Sequence, residues 1–358
     1  MLRHIVLGAF WAALVIITLE LCARLDDSLT QGAPFFGPWD ISVIYEHDAL
    51  GQKGKPGARF GKWKMNSLGF RGPDLTPGSV RILVIGSSET FGQYESEDME
   101  WPRQLERLLN HATGSSGTLY EVVNTALAGE TLPASLRRLQ ERIALTNPSA
   151  AIIYPSLVHY LWVPYLPEHP TPPPKRFWTW RIQGRVESLL KRTLPLWLQT
   201  RIREWQTERA ARQFSQLLDD VPPELCVRFR RDLEKMLETL KAHGIQPLLV
   251  THANRFGGSV RAEERDSLLA WRKFYPMLTT DGLLNSERTL NRIMREVAAE
   301  QRIPLVDAAQ KMPAGPEFFA DFVHFTDKGS SRFAALVADA LKPCLNGRQI
   351  RCPARPGG

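Results

Sequence analysis

Apolar residues along this chain follow two periods. Short strand-like runs at residues 82–85 (ILVI), 120–124 (YEVVN), 150–154 (AAIIY), 247–251 (PLLVT) and 304–307 have the length and content of strands buried in a parallel sheet. Between them, apolar side chains recur at helical spacing: Trp101, Leu105, Leu108 and Leu109, then Leu136, Leu139 and Ile143, and later Leu290, Ile293, Met294 and Val297. Pro102 and the acidic residues Glu97, Asp98 and Glu100 mark the start of the first of these helices. A further helix over residues 234–243 is closed by Gly244. Strand and helix alternate, which predicts an α/β domain whose parallel sheet carries helices on both faces.

Three stretches break the alternation. Residues 5–19 are apolar apart from Thr18, and Leu21 and Ala23 nearly extend the run to the roughly 20 residues that span a bilayer. A cleaved signal peptide is the rival reading, but Leu21 and Ala23 make a poor small-x-small cleavage site, so residues 1–24 are expected to be an uncleaved anchor. Arg3 and the amino terminus before the run, against Arg24, Asp26 and Asp27 after it, give a small positive bias that points to an N-in orientation. Residues 25–79, rich in Gly, Pro and aromatic residues, read as a packed lead-in with a turn at 66–72. The main domain, 80–345, is interrupted at 156–230 and followed by a tail, 346–358. The interruption opens with Pro164, Pro167, Pro170 and three prolines at 172–174. It continues as a basic helical stretch bearing Trp178, Trp180, Trp197 and Trp205 among Arg181, Arg185, Lys191, Arg192, Arg201 and Arg203. Such a segment suits a membrane interface, a solvated hairpin packed on the domain, or a lid over the site.

With 43% hydrophobic and 23% charged residues the chain has a globular composition. Its net charge of +7 fits nucleic acid, an anionic membrane surface or an acidic polymer. An N-in anchor puts the bulk of the chain outside the cytoplasm, in the periplasm if the membrane is an inner one, which excludes nucleic acid as the expected partner. In that oxidising setting Cys344 and Cys352 are placed to staple the tail, while Cys22 lies at the membrane boundary and Cys226 has no evident partner. No CxxC or HExxH pattern occurs, so neither a metal nor a cofactor is expected.

Candidate chemistry centres on residues 81–92, RILVIGSSETFG. A P-loop needs GxxxxGK[ST], but five residues separate Gly86 from Gly92, and Gln93 follows. A dinucleotide fingerprint needs a glycine where Ser88 stands. The turn after a central parallel strand opens into the crevice where α/β sheets bind ligands, which makes Ser88 the candidate nucleophile. Serines also end strands and open helices without chemistry. A serine hydroxyl needs a base, and the base needs a carboxylate to hold its tautomer. Asp321 and His324 lie three apart on one loop ahead of a helix starting near Lys328, and they suit those two roles.

These blocks, in this order, resemble the SGNH/GDSL hydrolase superfamily over roughly residues 80–341, the interruption excepted. Gly86, Ser87 and Ser88 correspond to the family's Gly-Asp-Ser, with Ser87 where Asp is usual. Residues 124–129 (NTALAG) resemble the second block, whose glycine amide joins the serine amide in the oxyanion hole; that role falls on Gly129. Asp321 and His324 match the fifth block. The resemblance implies a flavodoxin-like sheet and a serine esterase or O-acyltransferase acting through Ser88, His324 and Asp321. With the anchor, it suggests acetyl or other acyl esters of envelope or exported polysaccharide as substrates. The third block departs: Val158 stands where the family has its oxyanion Asn. Losing one such donor typically costs about 100- to 1000-fold in turnover. His159, or His252 with Asn254 at the end of the next strand, could supply donors to the oxyanion or the substrate. Two alternatives are a non-catalytic carbohydrate-binding or assembly protein of an export system, suggested by Ser87 and Val158, and a lipid esterase at the membrane surface.

Overall fold

Five parallel strands form the frame of the computed structural model, which describes residues 1–113, 118–166, 180–257, 260–346 and 349–352. They are β1 (Val80–Gly86), β2 (Tyr120–Asn124), β3 (Ala150–Tyr154), β4 (Gln246–Val250) and β5 (Leu305–Val306), in the spatial order β2-β1-β3-β4-β5. This is the flavodoxin-like order, with its switch point beside β1. Successive side chains on a strand face opposite ways, and here they fill two cores. Leu83, Ile85, Ala151, Ile153 and Leu249 face one. Ile82, Val84, Ala150, Ile152, Leu248 and Val250 face the other.

Helices cover both faces. On the first lie α4 (Leu132–Thr146), α7 (Pro223–Ala242), α8 (Arg265–Arg272) and α9 (Thr280–Glu300), through Leu139, Phe229, Leu233, Trp271 and Leu290 among others. On the second lie α3 (Trp101–Thr113) and α11 (Asp327–Leu341), through Trp101, Leu105, Phe333 and Val337. The short α2 (Ser88–Phe91) follows β1, and α10 (Ala308–Lys311) follows β5. Helix α11 begins one residue before the expected Lys328 because Thr326 caps it, its hydroxyl accepting from the Gly329 amide at 3.0 Å.

The segment expected to be an anchor belongs to α1 (Leu2–Gln31), which runs past the expected boundary at residue 24 and ends at Gly32 in the left-handed region. It is long and apolar enough to cross a membrane. Its apolar side chains are exposed, whereas Glu20 and Arg24 are buried. The cause is α5 (Arg181–Thr193), whose Arg181 and Ile182 amides donate to the Glu20 carboxylate and whose Arg181 guanidinium donates to the Arg24 carbonyl.

The interruption is narrower than the expected 156–230. Residues 158–165 form a 3-10 turn whose Val158, Tyr160, Leu161 and Val163 are buried in the first core, and α7 begins at Pro223 and packs on the sheet. Both segments carry apolar faces that the sheet buries, so they belong to the domain itself. The proline run at 167–174 and Trp178 lie outside the described residues. What remains is α5 and α6 (Leu196–Ala211), with Trp197 and Trp205 exposed. At the other end of the chain, Cys344 and Cys352 form the expected disulfide.

The lead-in is structured by contact with the serine turn. Arg71 is buried against the Glu100 carboxylate at 3.1 Å and donates to the carbonyls of Phe91 and Gly92 at the end of α2. The Trp63 indole donates to the same Gly92 carbonyl at 3.2 Å.

Candidate active site

Strand β1 ends in Gly86 because nothing larger fits there: a Cβ would lie 2.2 Å from Thr90 Oγ1 and 2.9 Å from the Tyr154 carbonyl oxygen. The chain then turns sharply and Ser88 opens α2 at the carboxyl edge of the sheet. Gly129 follows β2 with φ at +77°, a conformation that favours glycine, and a Cβ there would meet nothing within 4 Å. A cavity of about 340 Å³ lies over these two turns, lined by Ser88, Glu89, Gly129, His159, Asp321 and His324, with Tyr94, Trp271, Phe274 and Phe322 forming aromatic walls. Trp271 is sandwiched between Phe256 and Phe322, so the aromatic surface at the mouth is that of the exposed Tyr94 and Phe274.

The Asp321 carboxylate divides its oxygens between two tasks. Oδ1 accepts from the Val323 and His324 amides at 2.9 Å, which winds the loop; Oδ2 accepts from His324 Nδ1 at 2.7 Å, which fixes the ring. With Nδ1 carrying the proton, Nε2 is left as the basic atom. Nε2 is buried and has no hydrogen-bond partner among the described residues. Burial disfavours the His324 imidazolium, but the Asp321 hydrogen bond and the charges of Asp321, Glu89 and Glu95 outweigh it and raise the pKa above 6.5.

Ser88, His324 and Asp321 therefore share one cavity, with the Ser88 hydroxyl bonded elsewhere than to His324 Nε2. Ser88 Oγ donates to Glu89 Oε2 at 3.3 Å. His159 lines the cavity as well, with Nδ1 at 3.3 Å from Ser87 Oγ, and burial holds its pKa down, so the ring is neutral near pH 7. Val158 lines the wall at the position of the missing Asn.

Two expected substrate contacts are corrected by the structure. His252 is completely buried, because it closes the carboxyl end of β4 beneath the cavity between two carboxylates: Glu287 Oε2 lies 2.7 Å from its Nδ1, and Glu89 Oε1 lies 3.2 Å from its Nε2. Asn254 turns its carboxamide oxygen to the Phe256 and Gly257 amides, shaping the loop, and it does not line the cavity. Sequence reasoning missed Glu89 and Glu287. Ser156 donates to Glu89 at 2.8 Å, and Asn291 brackets the His252 backbone at 2.8 and 2.9 Å. Burial opposes a charge on His252, yet the flanking Glu287 and Glu89 push its pKa up to about 10. In turn, the His252 contact holds Glu89 well below the usual carboxylate range despite burial. The signal available in the sequence was an acid directly after the candidate nucleophile, a position with no apolar reason to be buried.

Fold and site together define a doubly wound α/β protein with a serine, a histidine and an acid at the carboxyl edge of its sheet, the arrangement implied by the SGNH/GDSL resemblance. No family model and no curated protein matches the sequence. Among solved structures it is similar to a lipase/acylhydrolase from Enterococcus faecalis, at 18% identity over 75% of this chain and 99% of that one, with a TM-score of 0.43. It is also similar to a putative lipolytic protein of the G-D-S-L family from Desulfitobacterium hafniense, at 14% identity over 74% and 100% of the two chains, TM-score 0.41. A third similar structure is an acetyl xylan esterase from Geobacillus stearothermophilus, at 15% identity over 74% and 95%, TM-score 0.42.

Proposed function

We propose that this protein is a membrane-anchored serine esterase or O-acyltransferase, facing outward from an inner membrane into the periplasm and acting on acyl esters of envelope or exported polysaccharide. The observation that carries the reading is the single cavity shared by Ser88 and the Asp321-oriented His324. Ser88 Oγ leaves Glu89 and attacks the ester carbonyl as its proton passes to His324 Nε2; Asp321 stabilises the imidazolium that forms. The carbonyl electron pair becomes an oxyanion received by the Ser88 and Gly129 amides, and the neutral His159 takes the place of the Asn once its single N–H leaves the Glu130 backbone. His324 then returns the proton to the leaving alcohol. Water or a sugar hydroxyl, deprotonated by His324, takes the acyl group from Ser88 and separates hydrolysis from transfer. Exposed rings of Tyr94 and Phe274 at the mouth suit the apolar face of a sugar.

The test is fluorophosphonate labelling of the full chain in detergent. Labelling of wild type that disappears in Ser88→Ala and His324→Ala supports the reading, and acylated glycans become the substrates to assay. Folded wild type that does not label refutes it. A binding or assembly role without catalysis would then be favoured by the Ser88 to Glu89 hydrogen bond, with glycan binding as its assay.

A further inference from the structure

A Ser-His-Asp site uses one carboxylate, and this one has a second charged chain behind its serine. Glu89 touches Ser88 Oγ through Oε2, while its Oε1 is held by the Ser156 hydroxyl and by His252, which is held in turn by Glu287. Glu89, His252 and Glu287 are each at most 1% exposed. They come from three separate elements: α2, the end of β4 and α9. Burying two carboxylates and an imidazolium is costly unless each is paired, and apolar side chains of similar volume would usually serve stability as well. The chain also ends on the reacting hydroxyl, which a purely architectural network has no need to reach.

We propose that Glu89, backed by His252 and Glu287, is a positioning residue for the nucleophile, holding the Ser88 hydroxyl between turnovers and facing the His324 imidazolium as a second anion opposite Asp321 during attack. The inference rests on the serine-hydrolase reading above. In the step itself the Ser88 proton goes to His324 Nε2, the Oγ–C bond forms and the carbonyl pair becomes the oxyanion. Glu89 takes no proton, because the neighbouring His252 imidazolium keeps it ionised. Its charge is among those that raise the His324 pKa, so removing it makes His324 a weaker base. Besides Glu89, the titratable groups that face His324 among the described residues are Asp321, on its own loop, Tyr94 and Glu95, on the segment after α2, and His159, on the 3-10 turn after β3.

The experiment is the rate of fluorophosphonate labelling against pH for the full chain, comparing wild type with Glu89→Gln, which keeps the side chain's size and loses its charge. The labelling rate is expected to fall about 10- to 100-fold, and the acid limb of the pH profile to move to lower pH. A purely structural role would lower stability and leave the labelling rate of the folded variant, above the acid limb, unchanged. Wild type that labels beside a Glu89→Gln variant with an unchanged rate and pH limb overturns this inference while leaving the proposed function standing. Wild type that does not label overturns both. Should Glu89→Gln not fold, 15N spectra of histidine-labelled wild type decide: two protonated ring nitrogens on His252 at pH 8 are required, and a neutral ring there overturns the proposal.

Discussion

Replacing Arg71 by methionine isolates the contact through which the lead-in holds the serine turn. The Arg71 and Glu100 side chains are 3% and 1% exposed and meet at 3.1 Å, so Arg71→Met leaves a carboxylate in the interior without its counter-ion. Breaking a buried pair from one side typically costs about 3–5 kcal/mol, because the remaining charge stays desolvated. The Phe91 carbonyl loses the Arg71 donor as well, whereas the Gly92 carbonyl keeps Trp63. In Arg71→Met/Glu100→Met the stranded charge is gone, and the remaining loss should be that of the buried Phe91 carbonyl left without its donor, about 1–2 kcal/mol. Urea unfolding of the full chain in detergent, with linear extrapolation at constant slope, measures both variants. The reasoning is refuted if the single variant loses less than about 1 kcal/mol, or if the double variant is as unstable as the two single changes added together.

Activity against a short acyl ester should fall as pH drops through the His324 pKa, which lies above 6.5, since only the neutral ring can accept the Ser88 proton; Asp321→Asn should cost about 10³- to 10⁴-fold in turnover by releasing the ring's tautomer. Against the cost of burial, His252 has its pKa pushed up to about 10 by the flanking Glu287 and Glu89 carboxylates, from an ordinary imidazole value of about 6.5. Its contribution to stability, of order 3–5 kcal/mol, is therefore complete below pH 6.5 and lost as pH rises through about 10. In chemical unfolding the difference between wild type and His252→Gln should accordingly narrow by roughly 2 kcal/mol between pH 8 and pH 10. The Cys344–Cys352 disulfide closes a loop of sequence separation 8, so Cys344→Ser with Cys352→Ser should lose about 2–3 kcal/mol in the same assay, with little effect on labelling.

Local sequence was sufficient for the elements and for the three residues, Ser88, Asp321 and His324, that share the cavity. The runs that became β1 to β4 are mostly apolar, with polar residues such as Arg81, Glu121, Asn124 and Gln246 at or near their ends, as strands buried on both faces require, and the helical stripes between them leave one arrangement of layers. Asp321 and His324 could be paired because a single loop carries both and the aspartate's own hydrogen bonds wind it. The exposed apolar face of α1 was legible for the same reason, as a run without charge. Glu89, His252 and Glu287 are a different case. Apart from Glu89 standing directly after the candidate nucleophile, nothing at their positions in the sequence distinguishes a buried triad from three solvated side chains, since the pairing that makes burial tolerable joins residues up to 198 positions apart in the chain. The same holds for Arg71 beneath α2, for Trp271 in the cavity wall and for the direction of the Ser88 hydroxyl. Periodicity and loop chemistry act between near neighbours and can be read from the chain in order, whereas the stabilisation of a buried charge depends on what the completed fold brings to within 3 Å of it.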